Sequence, residues 1–168
     1  MTPKPTPGQT GASPAAASLA ADQAARQRRL SLLARAERET LEAAWNRLEP
    51  KPAFRRLKQP ETGLVMVRAR AGGNGQRFNM GEMTVTRCVL ALDEGGEMGV
   101  GYVAGRDRRR AELAALFDAL AQQPRHAAMV EAELLAPTQE SAAAARQARA
   151  AKVAATKVDF FTLVRGED

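Results

Sequence analysis

The chain has 168 residues, enough for one domain and a tail, and its 45% hydrophobic content includes only 4% aromatic residues, so alanine makes the core thin and leaves apolar surface for a partner to cover. Lys and Arg number 25 against 19 acidic residues, and the net charge of +6 favours phosphates, nucleic acid or an acidic protein surface as partner, with solubility alone the equal alternative. One cysteine, Cys88, excludes an internal disulfide and fits a reducing, cytoplasmic compartment, and no run of about 18 apolar residues is present to span a membrane.

Residues 1–22 are rich in Pro, Ala, Ser, Thr and Gly, with Lys4 the one charge before Asp22. They offer too little apolar surface to offset their ordering entropy and read as a disordered tail. The soft stretch Ala15 to Ala21 lacks the leucine-rich centre of a secretory signal. Residues 23–168 read as a single α+β domain. Asp22 is placed to cap a first helix carrying Leu30, Leu33 and Ala34. Leu41, Ala44, Trp45 and Leu48 define a second, which Pro50 and Pro52 terminate.

From Phe54 to Ala104 the period changes to that of strands. In the first, Val65, Val67 and Ala69 share one face and Leu64 and Met66 the other. A Gly-rich connection from Ala71 to Gly81 leads to a strand over about Glu82 to Leu92, with Met83, Val85, Val89 and Ala91 on one side. Gly95 and Gly96 mark a hairpin loop, after which Val100 and Tyr102 alternate with Gly99 and Gly101. Three strands with short links predict an antiparallel β-meander packed with several helices.

Asp107 can cap the next helix, whose stripe is Leu113, Leu116, Phe117 and Leu120. Pro124 can open a short helix with Met129, Val130 and Leu134. Thr138 can cap an alanine-rich helix reaching about Lys157, with Arg146, Arg149 and Lys152 along one side. The closing Val158 to Gly166 is β-prone and apolar. Phe160, Phe161, Leu163 and Val164 within it suit either the sheet or a docking partner.

One cysteine and one histidine, His126, cannot build a typical structural zinc site or hold an iron–sulfur cluster. Cys88 sits mid-strand, where an inert buried thiol outweighs a nucleophile. His126, near a helix start, reads as structural or solvated.

Three places could meet an anion. In Gly72-Gly73-Asn74-Gly75-Gln76-Arg77, converging backbone N–H groups and Arg77 could hold a phosphate, although a flexible turn between strands explains the glycines more simply. In Gly105-Arg106-Asp107-Arg108-Arg109-Arg110, four arginines crowd the positive end of a helix dipole and call for negative charge nearby. Simple solvation is the equal alternative. Arg87, among apolar strand neighbours, needs either a carboxylate of this chain or a ligand. No catalytic constellation and no metal site emerges.

These segments resemble the PhnG family, the small subunit of the bacterial carbon–phosphorus lyase core complex. The resemblance is carried by Glu61-Thr62-Gly63-Leu64-Val65, Ala69-Arg70-Ala71-Gly72-Gly73, Gly75-Gln76-Arg77-Phe78 and Thr84-Val85-Thr86-Arg87-Cys88. It continues through Gly101-Tyr102, Gly105-Arg106-Asp107, Ala111-Glu112, Asp118-Ala119-Leu120, Arg125-His126 and Val158 to Gly166. It covers about Arg26 to Gly166; the long Pro/Ala-rich leader departs from shorter family members.

The resemblance implies assembly with PhnI-, PhnH- and PhnJ-like subunits and with PhnL- and PhnK-like ATPase proteins. With PhnI, PhnH and PhnL, family members support displacement of adenine from ATP by methylphosphonate, giving α-D-ribose 1-methylphosphonate 5-triphosphate. The nucleosidase-type step belongs to the PhnI-like subunit and the later radical cleavage to the PhnJ-like one. ATP is then a substrate of the assembly, this chain alone is expected to bind no cofactor, and no catalytic residue carries over. Arg77, Arg87, Arg106, Asp107 and Arg165 are candidates for interface ion pairs or anionic substrate contact. Phe160, Phe161, Leu163 and Val164 are the docking candidates.

The rival readings are a free-standing nucleic-acid- or anion-binding protein and a self-sufficient transferase. The first has the charge but lacks a basic recognition helix and stacking aromatics, so no nucleic acid is expected as partner.

Overall fold

The computed structural model describes residues 14–71 and 74–156. Five helices and three strands follow in the order α1 (Pro14–Leu33), α2 (Arg38–Arg47), β1 (Phe54–Arg70), β2 (Arg77–Leu92), β3 (Met98–Ala104), α3 (Arg108–Leu120), α4 (Pro124–Val130) and α5 (Ala136–Ala155). The sheet is an antiparallel meander in the order β1-β2-β3. The α+β class and the meander agree with the sequence pattern.

Helix α3 is the centre of the molecule. Every residue from Ala111 to Leu120 is buried, including Glu112 and Asp118. The sequence shows a single apolar stripe because only one side of α3 carries large residues. The alanines on the remaining faces let β3, α1 and α2 approach closely, and a helix covered all round needs no polar face. Its core partners are Leu32 and Leu33 of α1, Leu41 and Ala44 of α2, Cys88, Leu90 and Leu92 of β2, and Val103 of β3.

Strand alternation decides which residues of β2 enter this core. Met83, Val85, Val89 and Ala91 share a face as the sequence pattern groups them. The face against α3 is the alternate one, with Thr86, Cys88, Leu90 and Leu92. Thr86 is accommodated because its hydroxyl donates to the Gly105 carbonyl at 2.7 Å. On β3 the residues paired with Cys88 and Leu90 are Gly101 and Gly99. A Cβ at Gly101 would stand 1.8 Å from the Ala111 carbonyl oxygen, and one at Gly99 would stand 1.9 Å from that of Ala115. The alternating glycines of β3 are therefore the contact surface for α3.

Three local expectations are corrected. Helix α1 begins at Pro14, so residues 14–22 are helical and not part of a structureless tail, and Asp22 lies inside the helix instead of capping it. Residues 15–25 of α1 stay exposed. Alanine has the highest helix propensity, and once Leu32 and Leu33 anchor the helix, propagation backwards through Ala15 to Ala21 costs little. Thr138 does not begin a new helix: α4 runs through a π-helical turn at Glu131–Leu135 straight into α5, with Pro137 in the first turn of α5. The wider i→i+5 turn is where the hydrogen-bond ladder absorbs the N–H that proline lacks. The strands are longer than the alternation indicates, because β1 and β2 pair from Phe54 opposite Leu92 to Arg70 opposite Arg77, with register shifts at Arg56/Lys58, Lys58/Glu61 and Val67/Arg68.

Candidate functional site

The arginine-rich junction between β3 and α3 is mostly an internal device. Gly105 turns the chain at φ 90°, a conformation that favours glycine. Asp107 then caps α3, its carboxylate accepting the Arg110 backbone N–H at 2.9 Å. Arg109 reaches back to α2 and donates to both oxygens of Glu42 at 2.9 and 3.1 Å, and to Glu112 at 3.2 Å. The hydrogen bond from Arg109 holds the Glu42 carboxyl below its ordinary range, and the same bond raises the Arg109 pKa. Arg110 donates to the carbonyls of Ala34 and Ala36, each at 2.8 Å, closing the turn after α1. Two of the four arginines thus aim away from the positive helix end toward acceptors. Arg106 and Arg108 are exposed and form no ion pair among the described residues. A shallow depression of about 390 Å³ lies beside Arg108, lined also by Arg56, Gln59, Pro60, Arg109 and Glu112. Glu112, nearly buried beside it, pairs with both Arg56 and Arg109.

Arg87 is on the sheet face away from α3. It is about half exposed and pairs with Glu61 on β1, to which Lys58 also donates at 3.0 Å. Hydrogen bonds from Lys58 and then Arg87 lower the Glu61 pKa. The partner of Arg87 is therefore a carboxylate of its own chain. The Gly-rich connection is a hairpin tip in which the Gly75 N–H donates to the Ala71 carbonyl at 3.0 Å, so that N–H is already used within the turn. Arg77, the first residue of β2, is exposed. Residues 72–73 of the tip, and Phe160, Phe161, Leu163, Val164 and Arg165, lie outside the described residues.

Burial, aided by Glu112, pushes the Cys88 thiol up to about 11, so at neutral pH it is protonated and a poor nucleophile. His126 borders a cleft of about 330 Å³ with Lys51, Glu94, Gln123 and Arg125. Burial, then Arg125, lowers its pKa. The polar groups around it are engaged: Arg125 with Glu94 at 2.9 Å, Gln123 with Glu97 at 2.9 Å, and Lys51 with the Leu48 carbonyl at 2.9 Å at the end of α2. Among the described residues no group of three or more His, Cys, Asp or Glu could hold a metal ion. No described helix is long and apolar enough to cross a membrane.

Two residues that pattern reading passed over hold the charged framework. Asp118, fully buried in α3, accepts from Arg26 at 2.8 Å, Arg29 at 3.2 Å and the Val100 backbone N–H at 3.1 Å, tying α1, α3 and β3 together. Glu112 joins α3 to β1 through Arg56. The available signal was two acids set among the apolar residues of the strongest helical stretch.

Fold and charges together define a class: a small α+β protein whose buried and half-buried ion pairs lock helices to a meander, and which brings no catalytic cluster together among its described residues. Residues 24–166 match the family model described as phosphonate metabolism protein PhnG. Over 159 residues the chain is 47% identical to the α-D-ribose 1-methylphosphonate 5-triphosphate synthase subunit PhnG of Rhizobium meliloti (strain 1021), covering 91% of this chain and 98% of that one. The chain belongs to the PhnG family.

Proposed function

We propose that this chain is a non-catalytic subunit of an α-D-ribose 1-methylphosphonate 5-triphosphate synthase, a transferase assembly of cytoplasmic phosphonate catabolism. The observation that carries the reading is similarity along nearly the whole chain to a protein named as a subunit of that synthase. The assembly displaces adenine from ATP with methylphosphonate. PhnI-like, PhnH-like and PhnL-like proteins are its partners in that step, and PhnJ-like and PhnK-like proteins join the wider complex. ATP is a substrate of the assembly, and this chain binds no cofactor by itself.

Within the assembly the subunit's work is to shape and hold its neighbours. Arg77 and Arg106, exposed here, suit an interface carboxylate or an anionic substrate; Arg87, Asp107 and Arg165 are the further candidates. The segment from Phe160 to Val164 docks on the PhnI-like partner.

The test is co-expression with a tagged PhnI-like protein and the remaining subunits from the same source, then assay of adenine release from ATP and methylphosphonate. Release that requires this chain, with none from the chain alone, is the expected result. Full activity without the chain, or activity of the isolated chain, overturns the reading. Truncation after Lys157 is expected to abolish co-purification. Arg87→Ala and Arg106→Ala are expected to weaken assembly or activity; full retention of both removes these two arginines from the interface.

A further inference from the structure

Strand β3 pairs with β2 from Val85 to Ala91 and no further. Beyond that point the rest of the hairpin, Leu64 to Arg70 against Arg77 to Thr84, continues as a ribbon of two strands among the described residues. Five of the ribbon's apolar residues, Leu64, Met66, Phe78, Met80 and Met83, are between 43 and 63% accessible, while Val65, Val67 and Ala69 are half-buried. A two-stranded ribbon is marginal in water, and apolar side chains along both strands make it more so. Its tip is cationic. Arg68, Arg70 and Arg77 are exposed and form no ion pair among the described residues, and Glu82 is the ribbon's one acid.

We infer that this ribbon is an insertion arm that enters an apolar groove of a partner subunit and places its arginine tip against an acidic surface at the groove's end. The inference rests on the subunit reading and adds the surface and the chemistry of its partner. Charge selects the occupant. A second copy of this chain, at +6 overall, is a poor match for a cationic tip, whereas a protein groove ending in carboxylates matches apolar flanks and tip together. The apolar side chains supply affinity by leaving water, and the arginines fix register and speed encounter.

The experiment uses the co-expressed assembly with the full chain. Met66→Asp/Met80→Asp disrupts the flanks and Arg68→Glu/Arg70→Glu/Arg77→Glu reverses the tip. Leu19→Asp and Val153→Asp, at exposed apolar positions on α1 and α5, are the controls. Both ribbon variants should reduce the subunit retained in the purified assembly by about tenfold or more, as loss of interface anchors does, while the controls retain it. Melting of each isolated variant at the wild-type temperature separates lost docking from lost folding. A photoreactive benzoylphenylalanine at Met80 is expected to cross-link to an acid-rich segment of another subunit, a readout that needs no destabilising change. If the wild-type chain assembles and the ribbon variants assemble equally well, the arm is overturned and the subunit reading stands. If the wild-type chain fails to assemble, both fall. Cross-links to a second copy, or ribbon-dependent binding to phosphatidylglycerol vesicles or RNA without subunit cross-links, also overturn the arm.

Discussion

Gly101 of β3 lies directly against Ala111 of α3, leaving no room for a side chain: a Cβ there would be 1.8 Å from the Ala111 carbonyl oxygen. The obstacle is backbone, so a rotamer change cannot relieve it. Gly101→Ala must push α3 off the sheet and should cost about 1–3 kcal/mol, lowering the melting temperature by several degrees. Gly63, with open space around its Cβ position, provides the control, and Gly63→Ala should stay within about 0.5 kcal/mol of wild type. Chemical denaturation of the two variants measures both. Equal stability would show that β3 and α3 are not in this close contact.

Asp118 binds two arginines of α1 and a backbone N–H of β3 from a fully buried position. Asp118→Ala leaves Arg29 partly buried without its counter-charge and the Val100 N–H without its acceptor. A loss of about 3 kcal/mol is expected. Because Asp118 clamps α1 through Arg26 and Arg29, hydrogen exchange in residues 24–33 should accelerate more than in β1 and β2. Uniform acceleration would count against Asp118 as the clamp of α1.

The Glu42–Arg109 pair gives a pH signature. Glu42 has a folded pKa below its ordinary 4.5, chiefly through the hydrogen bond from Arg109. The pair's stabilisation is therefore complete above the ordinary value and declines as pH falls through the lowered folded value. The difference in unfolding free energy between wild type and Glu42→Gln should be constant above about pH 5 and shrink on acidification. A difference that grows toward low pH contradicts the assignment.

Cys88 should be inert in the folded chain. Its thiol is buried and its pKa raised to about 11. Reaction with 5,5′-dithiobis(2-nitrobenzoate) at pH 8 should be at least about a hundredfold slower than in guanidinium, because it must await local opening. Fast labelling without denaturant would place Cys88 at the surface.

Sequence by itself determined what local chemistry determines. Alternation and glycine loops specified a three-strand meander; period and caps specified α2 and α3, with Asp107 at the cap. One histidine and one cysteine limited the metal chemistry available, and the spaced residues from Glu61 to Gly166 carried the family. Tertiary structure decided the rest, because each outcome depended on a neighbour distant in the chain. Gly99 and Gly101, a weak strand in isolation, became a packing surface when α3 lay on them. Arg109 and Arg110 acquired acceptors on α2 and after α1, and Arg87 found Glu61 across the sheet. Apolar alternation continues through Leu64 and Met66 as though a core lay ahead, yet β3 stops short of them. A pleated pattern records which side chains share a face, whereas burial requires a second layer, and the described residues do not supply one along the ribbon.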